Sequence, residues 1–264
     1  MSVLTPMQQH TPGWAPRIAV VLGSGWSGLT AHLSNAVQFP YAELEGFPQP
    51  TVAGHSATLW LGNLGAQPVA VMSGRKHGYE TGAVDGMAKP LKMLKELGCH
   101  TLVQTNAAGS VRTDMPPQSL MLLRDHLNLP QRSPLVGLSG SERFVNMVDA
   151  YDPALRAHAR HTAQAKGMTL FEGTYAWFLG PQFETPAEIH MAQRLGADAV
   201  GMSTVPETIL ARYLGLRVLA LSFITNLGAG LSSENLSHAH TLQQAQEGSA
   251  KASQLLADII AALP

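Results

Sequence analysis

The chain has 264 residues, 45% of them hydrophobic, and its 17 Lys+Arg and 18 Asp+Glu leave a formal net charge of −1. That length and apolar share suit one α/β domain with a sizeable core, and the balanced charge, with no basic run, removes the electrostatic basis for nucleic-acid binding. Only 13% of the residues are charged, about half the usual share, which points to a surface partly covered in an oligomer.

Taken in order, the N-terminal MSVLTPMQQHTPGWAP has neither the cationic start nor the apolar centre of a signal peptide. No apolar run approaches the ~20 residues of a membrane span, so a cytoplasmic protein is expected. Arg17 to Leu22 (RIAVVL) predicts a buried strand. It ends in GSGWSG, Gly23 to Gly28, with a helix expected to about Leu33. Glycines after a strand let backbone amides approach an anion at the next helix N-terminus. The same spacing satisfies G-x-G-x-x-G, with Glu43 roughly 20 residues on. An NAD-dependent oxidoreductase and an unliganded glycine turn therefore stand as competing readings, although SNAVQFPYAELEGF shows no clear second strand to deliver that acid.

His55, in Gly54-His55-Ser56, reads by itself as a polar turn residue before the alternating strand ATLWLG. Pro68 to Met72 (PVAVM) predicts another strand, ending in SGRKHGYETG. Arg75, His77, Tyr79 and Glu80 gather there, at the C-terminal end of a strand, where α/β sheets bind ligands. Arginine presents a fork of donors suited to phosphate. Val84 to Leu97 predicts a helix that Pro90 should bend or whose start it should shift. Cys99, the single cysteine, cannot form an internal disulfide and favours a reducing compartment. Thr101 to Gln104 is the next expected strand, leading into TNAAGS, whose small residues allow close backbone approach to a ligand. Ser119 to Leu123 is a further strand, and residues 128 to 150 form a long Pro/Gly/Ser-rich loop that carries Phe144.

Pro153 to Lys166 predicts a helix with His158 and His161 on one face but no further ligand beside them, so no metal is expected. Thr169 to Leu179 is a strand leading into GPQFETPAEIHMAQRLGADAVGMSTVPE, the most informative stretch. Its first turn sets Glu184 after Phe183. Thr185, Pro186 and Glu188 form a capping-box start for a helix. ADAVGM is a short strand, followed by Ser203-Thr204 and a helix opened by Pro206-Glu207. Leu216 to Ile224 is a long central strand ending at Thr225-Asn226, and Leu236-Ser237-His238 precedes a final helix to about Leu263. His238 and His240 are wrongly spaced for a helical metal site. Strands alternating with helices predict a single α/β domain over residues 1–264, with a central mixed, mainly parallel β-sheet flanked by helices.

The polar strand ends sort into two chemistries. Ser24, Arg75, His77 and Ser203 are an anion set. Glu184, Asn226 and the aromatics are a neutral-ring set, pairing an acceptor and an amide with stacking faces. Phosphate next to a nucleobase suggests a nucleoside and phosphate bound together.

With LGSGWSGL, GRKHGYE, TNAAG, GPQFETPAE, GADAVGMSTVPE and ITN followed by LSH in this order, the chain resembles the trimeric-class purine nucleoside phosphorylases over nearly its whole length. The resemblance implies phosphorolysis of inosine or guanosine to free base and ribose 1-phosphate, with inorganic phosphate as co-substrate and no cofactor. By motif position it assigns Ser24, Arg75, His77 and Ser203 to phosphate, with Ala107 closing that pocket and edging the base, and His55 near its entrance. It gives Glu184 to the six-membered ring and Asn226, supported by Thr225, to the five-membered ring nitrogen. Phe183 packs on the base, Tyr79 and Met202 contact the ribose, and His238 reaches the primary hydroxyl, with His240 as its rival. Phe144 matches an aromatic lent to the neighbouring subunit's ribose site, which implies a homotrimer. TNAAGSVR and LSHAHTL are closer to the xanthosine phosphorylase branch, so xanthosine is the alternative substrate. A nucleoside hydrolase, using water, is a rival of another class.

Overall fold

The computed structural model describes residues 14–49, 56–232 and 237–263. Its centre is a nine-stranded sheet. The strands are β1 (Ile18–Val21), β2 (Ser34–Pro40), β3 (Thr58–Leu64), β4 (Gln67–Ser73), β5 (Thr101–Ser110), β6 (Leu120–Asn128), β7 (Phe171–Trp177), β8 (Ala199–Gly201) and β9 (Arg217–Leu227). Their order is β2-β3-β4-β1-β5-β8-β7-β6-β9, and β9 also pairs with β5. The second pairing closes β5, β8, β7, β6 and β9 on themselves, so the sheet is open at the β2 end and curled shut at the other.

The parallel set β4, β1, β5 and β9 fixes the site. β1 runs parallel to β4 and to β5, and β5 runs parallel to β9 from Thr101↔Arg217 to Ser110↔Leu227. The C-terminal ends of these strands therefore open on the same side, where a doubly covered sheet leaves room for a ligand. A bulge between Ala108 and Gly109 shifts the register so that Gly109 faces Asn226, leaving Thr225 as the extra residue of β9.

Strand β1 shows why this sheet is buried on both faces. Ile18 and Val20 join one core cluster and Ala19 and Val21 the other, all at most 2% exposed. Successive side chains of a strand alternate faces, so an unbroken apolar run needs cover on both. Leu91 and Leu94 of helix Ala88–Glu96 and Leu210 of helix Val205–Tyr213 belong to one cluster. Leu255, Leu256, Ile259 and Ile260 of the last helix, His238–Ala261, belong to the other. Among the described residues no helix is long and apolar enough to cross a membrane.

Several elements extend further than the sequence pattern predicts. The strand expected over Thr101 to Gln104 continues through TNAAGS as β5, and RDHLN completes β6. Thr225-Asn226 likewise lies inside β9. Small and polar residues stay in strand here because the ladder between β5 and β9 satisfies their backbones over the whole length. The segment SNAVQFP, without a clear pattern, forms the edge strand β2, antiparallel to β3. The helix expected to about Leu33 is present as a 3-10 helix, Ser27–His32, which begins within GSGWSG. Glu43 is exposed in a short turn beyond an antiparallel edge strand, which is not the parallel crossover of a dinucleotide-binding unit.

Candidate active site

One cavity of about 310 Å³ lies at the converging strand ends. It is lined by Ser24 after β1, by Arg75, His77 and Tyr79 after β4, and by Asn106, Ala107, Ala108 and Gly109 of β5. Phe183 and Glu184 enter from the turn after β7, Met202 and Ser203 from the end of β8, and Thr225 and Asn226 from β9. The anion set and the ring set of the sequence are thus walls of one cavity.

Close backbone approach builds the first wall. A Cβ on Gly23 would lie 2.6 Å from the carbonyl oxygen of Thr105 and 2.7 Å from the Asn106 Cα, so only glycine fits between β1 and β5. The Gly23 N–H donates to Thr105 Oγ1 at 3.0 Å, and the Trp26 indole donates to the Asn106 carbonyl at 2.9 Å. These bonds hold Ser24 at the cavity edge. On the β4 side, His77 caps the short helix Gly78–Thr81, its backbone N–H donating to Glu80 Oε1 at 2.6 Å. The His77 ring stacks on Tyr79 with centroids 4.8 Å apart. Burial, reinforced by Glu80, pushes the Tyr79 phenol up to about 12, so it stays protonated.

Arg75 departs from the open fork that its position suggests. Its side chain is fully buried. Nη1 donates to Glu207 Oε1 at 3.1 Å and to Thr204 Oγ1 at 3.4 Å, and Nη2 donates to the carbonyls of Val21 and Thr105. Nε is left buried without a partner.

Ser203 is positioned by strain. Thr204 has φ 75° and ψ −44°, and the Val205 N–H donates to the Ser203 carbonyl at 2.8 Å, closing a γ-turn of the rare positive-φ kind. A β-branched residue adopts this conformation only under constraint. Asn106 Nδ2 donates to Thr204 Oγ1 at 2.9 Å, Arg75 also reaches that hydroxyl, and the Ser203 and Thr204 hydroxyls are 3.1 Å apart. The Tyr175 hydroxyl accepts from the Ser203 N–H at 3.3 Å.

The wall that carries Glu184 has its own unsatisfied atom. Glu184 is 8% exposed, and its Oε1 is buried without a partner. Burial pushes its carboxyl above the usual carboxylate range, with Glu188 adding to the rise and its own N–H opposing it. Gly180, at φ 74°, leaves space that a Cβ would take from Met202 Sδ at 2.4 Å. The helix Pro186–Arg194 after Glu184 has the expected capping box, with Glu188 N–H to Thr185 Oγ1 at 3.2 Å and Thr185 N–H to Glu188 Oε2 at 2.8 Å. On β9 the Thr225 hydroxyl donates to Asn226 Oδ1 at 2.8 Å, which orients the amide so that Nδ2 is its donor end. Nδ2 rests on the Leu227 carbonyl at 2.9 Å.

Ser24, Arg75, His77, Tyr79, Ala107, Phe183, Glu184, Met202, Ser203, Thr225 and Asn226 therefore share one cavity. His55 lies outside the described residues, as does the side chain of His238, although that residue begins the last helix. Thr241, three positions on, reaches the cavity and carries no sequence signal beyond that spacing. Phe144 is not in this cavity: it stands 78% exposed on the long loop, beneath the Arg143 guanidinium. Val136 (82%) and Val148 (71%) are also exposed there. The supporting roles of Thr204 and Glu207 have no local sequence signature, because their partners lie more than 90 residues away.

Among the described residues no group of three or more His, Cys, Asp or Glu side chains could hold a metal ion. A concave, mostly apolar site with a few convergent polar groups suits an organic ring joined to an anion.

Comparison with known proteins agrees with this geometry. Residues 17–261 match the family model described as the phosphorylase superfamily. The purine nucleoside phosphorylase of Mycobacterium tuberculosis is 47% identical over 245 residues, covering 92% of this chain and 88% of the relative. The mouse (Mus musculus) purine nucleoside phosphorylase is 44% identical over 255 residues, covering 94% and 88%. The purine nucleoside phosphorylase of Schistosoma mansoni, solved in complex with inosine, superposes with a TM-score of 0.91 at 33% identity, covering 99% of this chain and 95% of that one.

Proposed function

The chain belongs to the purine nucleoside phosphorylases of the phosphorylase superfamily, and from that premise we propose how its cavity divides the work. Phosphate binds against Ser24, Arg75, His77, Ser203 and Ala107, the base against Phe183, Glu184, Thr225 and Asn226, and the ribose lies between them against Tyr79 and Met202. The observation that carries this reading is the placement of both sets in one cavity, where two of the lining residues, Arg75 and Glu184, each keep a buried polar atom without a protein partner, Nε and Oε1. An unpaired buried polar group costs about 1–3 kcal/mol, and a ligand that pairs it recovers that cost.

The reaction is displacement at the anomeric carbon. As the glycosidic bond lengthens, positive charge gathers on the ribose and negative charge on the purine. Asn226 Nδ2, oriented by the Thr225 hydroxyl, donates to the purine nitrogen where that charge grows. Glu184, as carboxylate, accepts from the protonated ring nitrogen of a 6-oxopurine. An amide at position 226 adapts to a protonated nitrogen and an oxo group, so inosine and guanosine come first and xanthosine second. Phosphate, held by the second set, is aligned with the anomeric carbon and captures it, giving ribose 1-phosphate.

His238 meets the primary hydroxyl in this reading and His55 the phosphate entrance. Phe144, exposed here, reaches the ribose site of a neighbouring copy in a homotrimer. Such an assembly also covers Val136 and Val148. The charge-poor composition accords with a covered surface, and the lone cysteine with the cytoplasm. Following the reaction by phosphorus NMR tests the assignment. Ribose 1-phosphate should form in step with free hypoxanthine from inosine, whereas free ribose with unconsumed phosphate would assign a hydrolase.

A further inference from the structure

We propose that Glu207 is a positioning residue for phosphate, acting through Arg75, and that it sets how strongly the site holds an anion. The proposal rests on the phosphate reading given above. An arginine at a strand end ordinarily offers a charged fork. Here the fork is closed. Both terminal nitrogens of Arg75 are bonded within the protein, to Glu207, Thr204, Val21 and Thr105. Its Nε is the buried guanidinium nitrogen left without a partner.

Glu207 is 2% exposed and Arg75 is 0% exposed, so water does little to screen the pair. The carboxylate sits 3.1 Å from Nη1 and compensates the guanidinium charge. Nε–H is therefore the one guanidinium nitrogen not already bonded within the protein, and little net charge lies behind it. This matters for a reversible reaction: inorganic phosphate and the sugar phosphate product occupy the same anion site, and a site with an uncompensated charge would release both slowly. Glu207 opens the helix Val205–Tyr213 directly after the strained turn that carries Ser203. One carboxylate thereby ties the Arg75 and Ser203 sides of the site together.

Charge and shape separate cleanly at this position. Glu207→Gln keeps an acceptor for Nη1 and removes the charge; Glu207→Asp keeps the charge and shortens the reach. Titration calorimetry with inorganic phosphate on the full chain, alongside steady-state phosphorolysis, tests the proposal. For Glu207→Gln the phosphate Kd should fall about tenfold, which is about 1.4 kcal/mol. The phosphate KM and kcat should fall together, as product is held longer. Its thermal stability without ligand should drop, since a buried charge is left unpaired, and phosphate should restore more of it than in the wild type. Glu207→Asp should keep a phosphate Kd within about twofold of the wild type.

A Glu207→Gln variant with lowered stability but unchanged or weaker phosphate binding would overturn the proposal and leave Glu207 a structural residue. If Glu207→Gln does not fold, Glu207→Asp decides: a change in Kd above about fivefold overturns the charge-setting role, and a smaller one supports it. Wild-type protein that binds no phosphate at all would overturn the phosphate reading itself, and this proposal with it.

Discussion

Replacing Glu184 by Gln should cost activity and gain stability, because the same carboxylate is required by the substrate and penalised by the empty protein. In the structure Oε1 is buried with no partner. Burial raises the carboxyl pKa, so folding makes ionisation of this side chain harder than in the unfolded chain. The stability that this proton contributes is complete below the unfolded carboxylate value and is lost as pH rises through the folded one. At neutral pH the ionised side chain therefore strains the ligand-free fold. Glutamine of the same shape keeps a buried acceptor but removes the charge, and with it the desolvation cost of the ionised carboxylate. Stability should rise by about 1–2 kcal/mol on that account, the worth of roughly one pKa unit. For a chain of this size the melting temperature should then rise by about 2–8 °C. Catalysis should lose a charge-assisted hydrogen bond to the base, about 3 kcal/mol of transition-state stabilisation, or about 10²-fold in turnover. Thermal unfolding across pH 5 to 8, paired with inosine phosphorolysis, measures both. The gap in melting temperature should widen as pH rises. A variant less stable than wild type at neutral pH, or one whose turnover stays within about threefold, would refute the reasoning.

Other perturbations separate the roles of the remaining residues. Asn226→Ala should lower turnover on inosine by about 10²–10³-fold while the circular-dichroism spectrum is kept, since it removes the donor to the leaving group. Thr225→Val, which loses the hydroxyl orienting that amide, should cost about tenfold in kcat with little change in phosphate KM, read by varying each substrate in turn. Asp152→Ala removes the N-cap of helix Pro153–Ala165 and the bidentate partner of Arg217; calorimetry should show a loss of about 1–2 kcal/mol with kcat unchanged. Its contribution is present above the unfolded carboxylate value and lost as pH falls, because the Arg217 hydrogen bonds hold Asp152 below the usual carboxylate range. His238→Ala should impair turnover more than His240→Ala, and the reverse order would move the ribose contact.

Much of the site was legible because its residues stand at strand ends, where local pattern and ligand chemistry coincide. The apolar runs before Ser24 and Arg75 mark β1 and β4, and the parallel pairing of those strands brings the two residues together. The turn from Gly180 to Glu184 and its capped helix were also local signals, realised with both capping-box bonds. What the pattern hid depends on distant partners. The apolar pattern of β5 stops at Gln104, yet β9 holds TNAAGS in strand along the whole ladder. The edge strand Ser34–Pro40 has mostly exposed side chains, so no apolar alternation announces it. Arg75 reads as an open fork until Glu207 and Thr204, 132 and 129 residues further on, fill its terminal nitrogens. Phe144 lies outside the cavity, exposed on the long loop.

The central claim is that one cavity holds a purine nucleoside and phosphate together, and phosphate dependence of base release tests it most directly. Release of free base from inosine, guanosine, xanthosine and adenosine should be followed with and without inorganic phosphate. The account predicts release that requires phosphate, yields ribose 1-phosphate, and is fastest on inosine or guanosine, with adenosine last. Base release at the same rate without phosphate would contradict it.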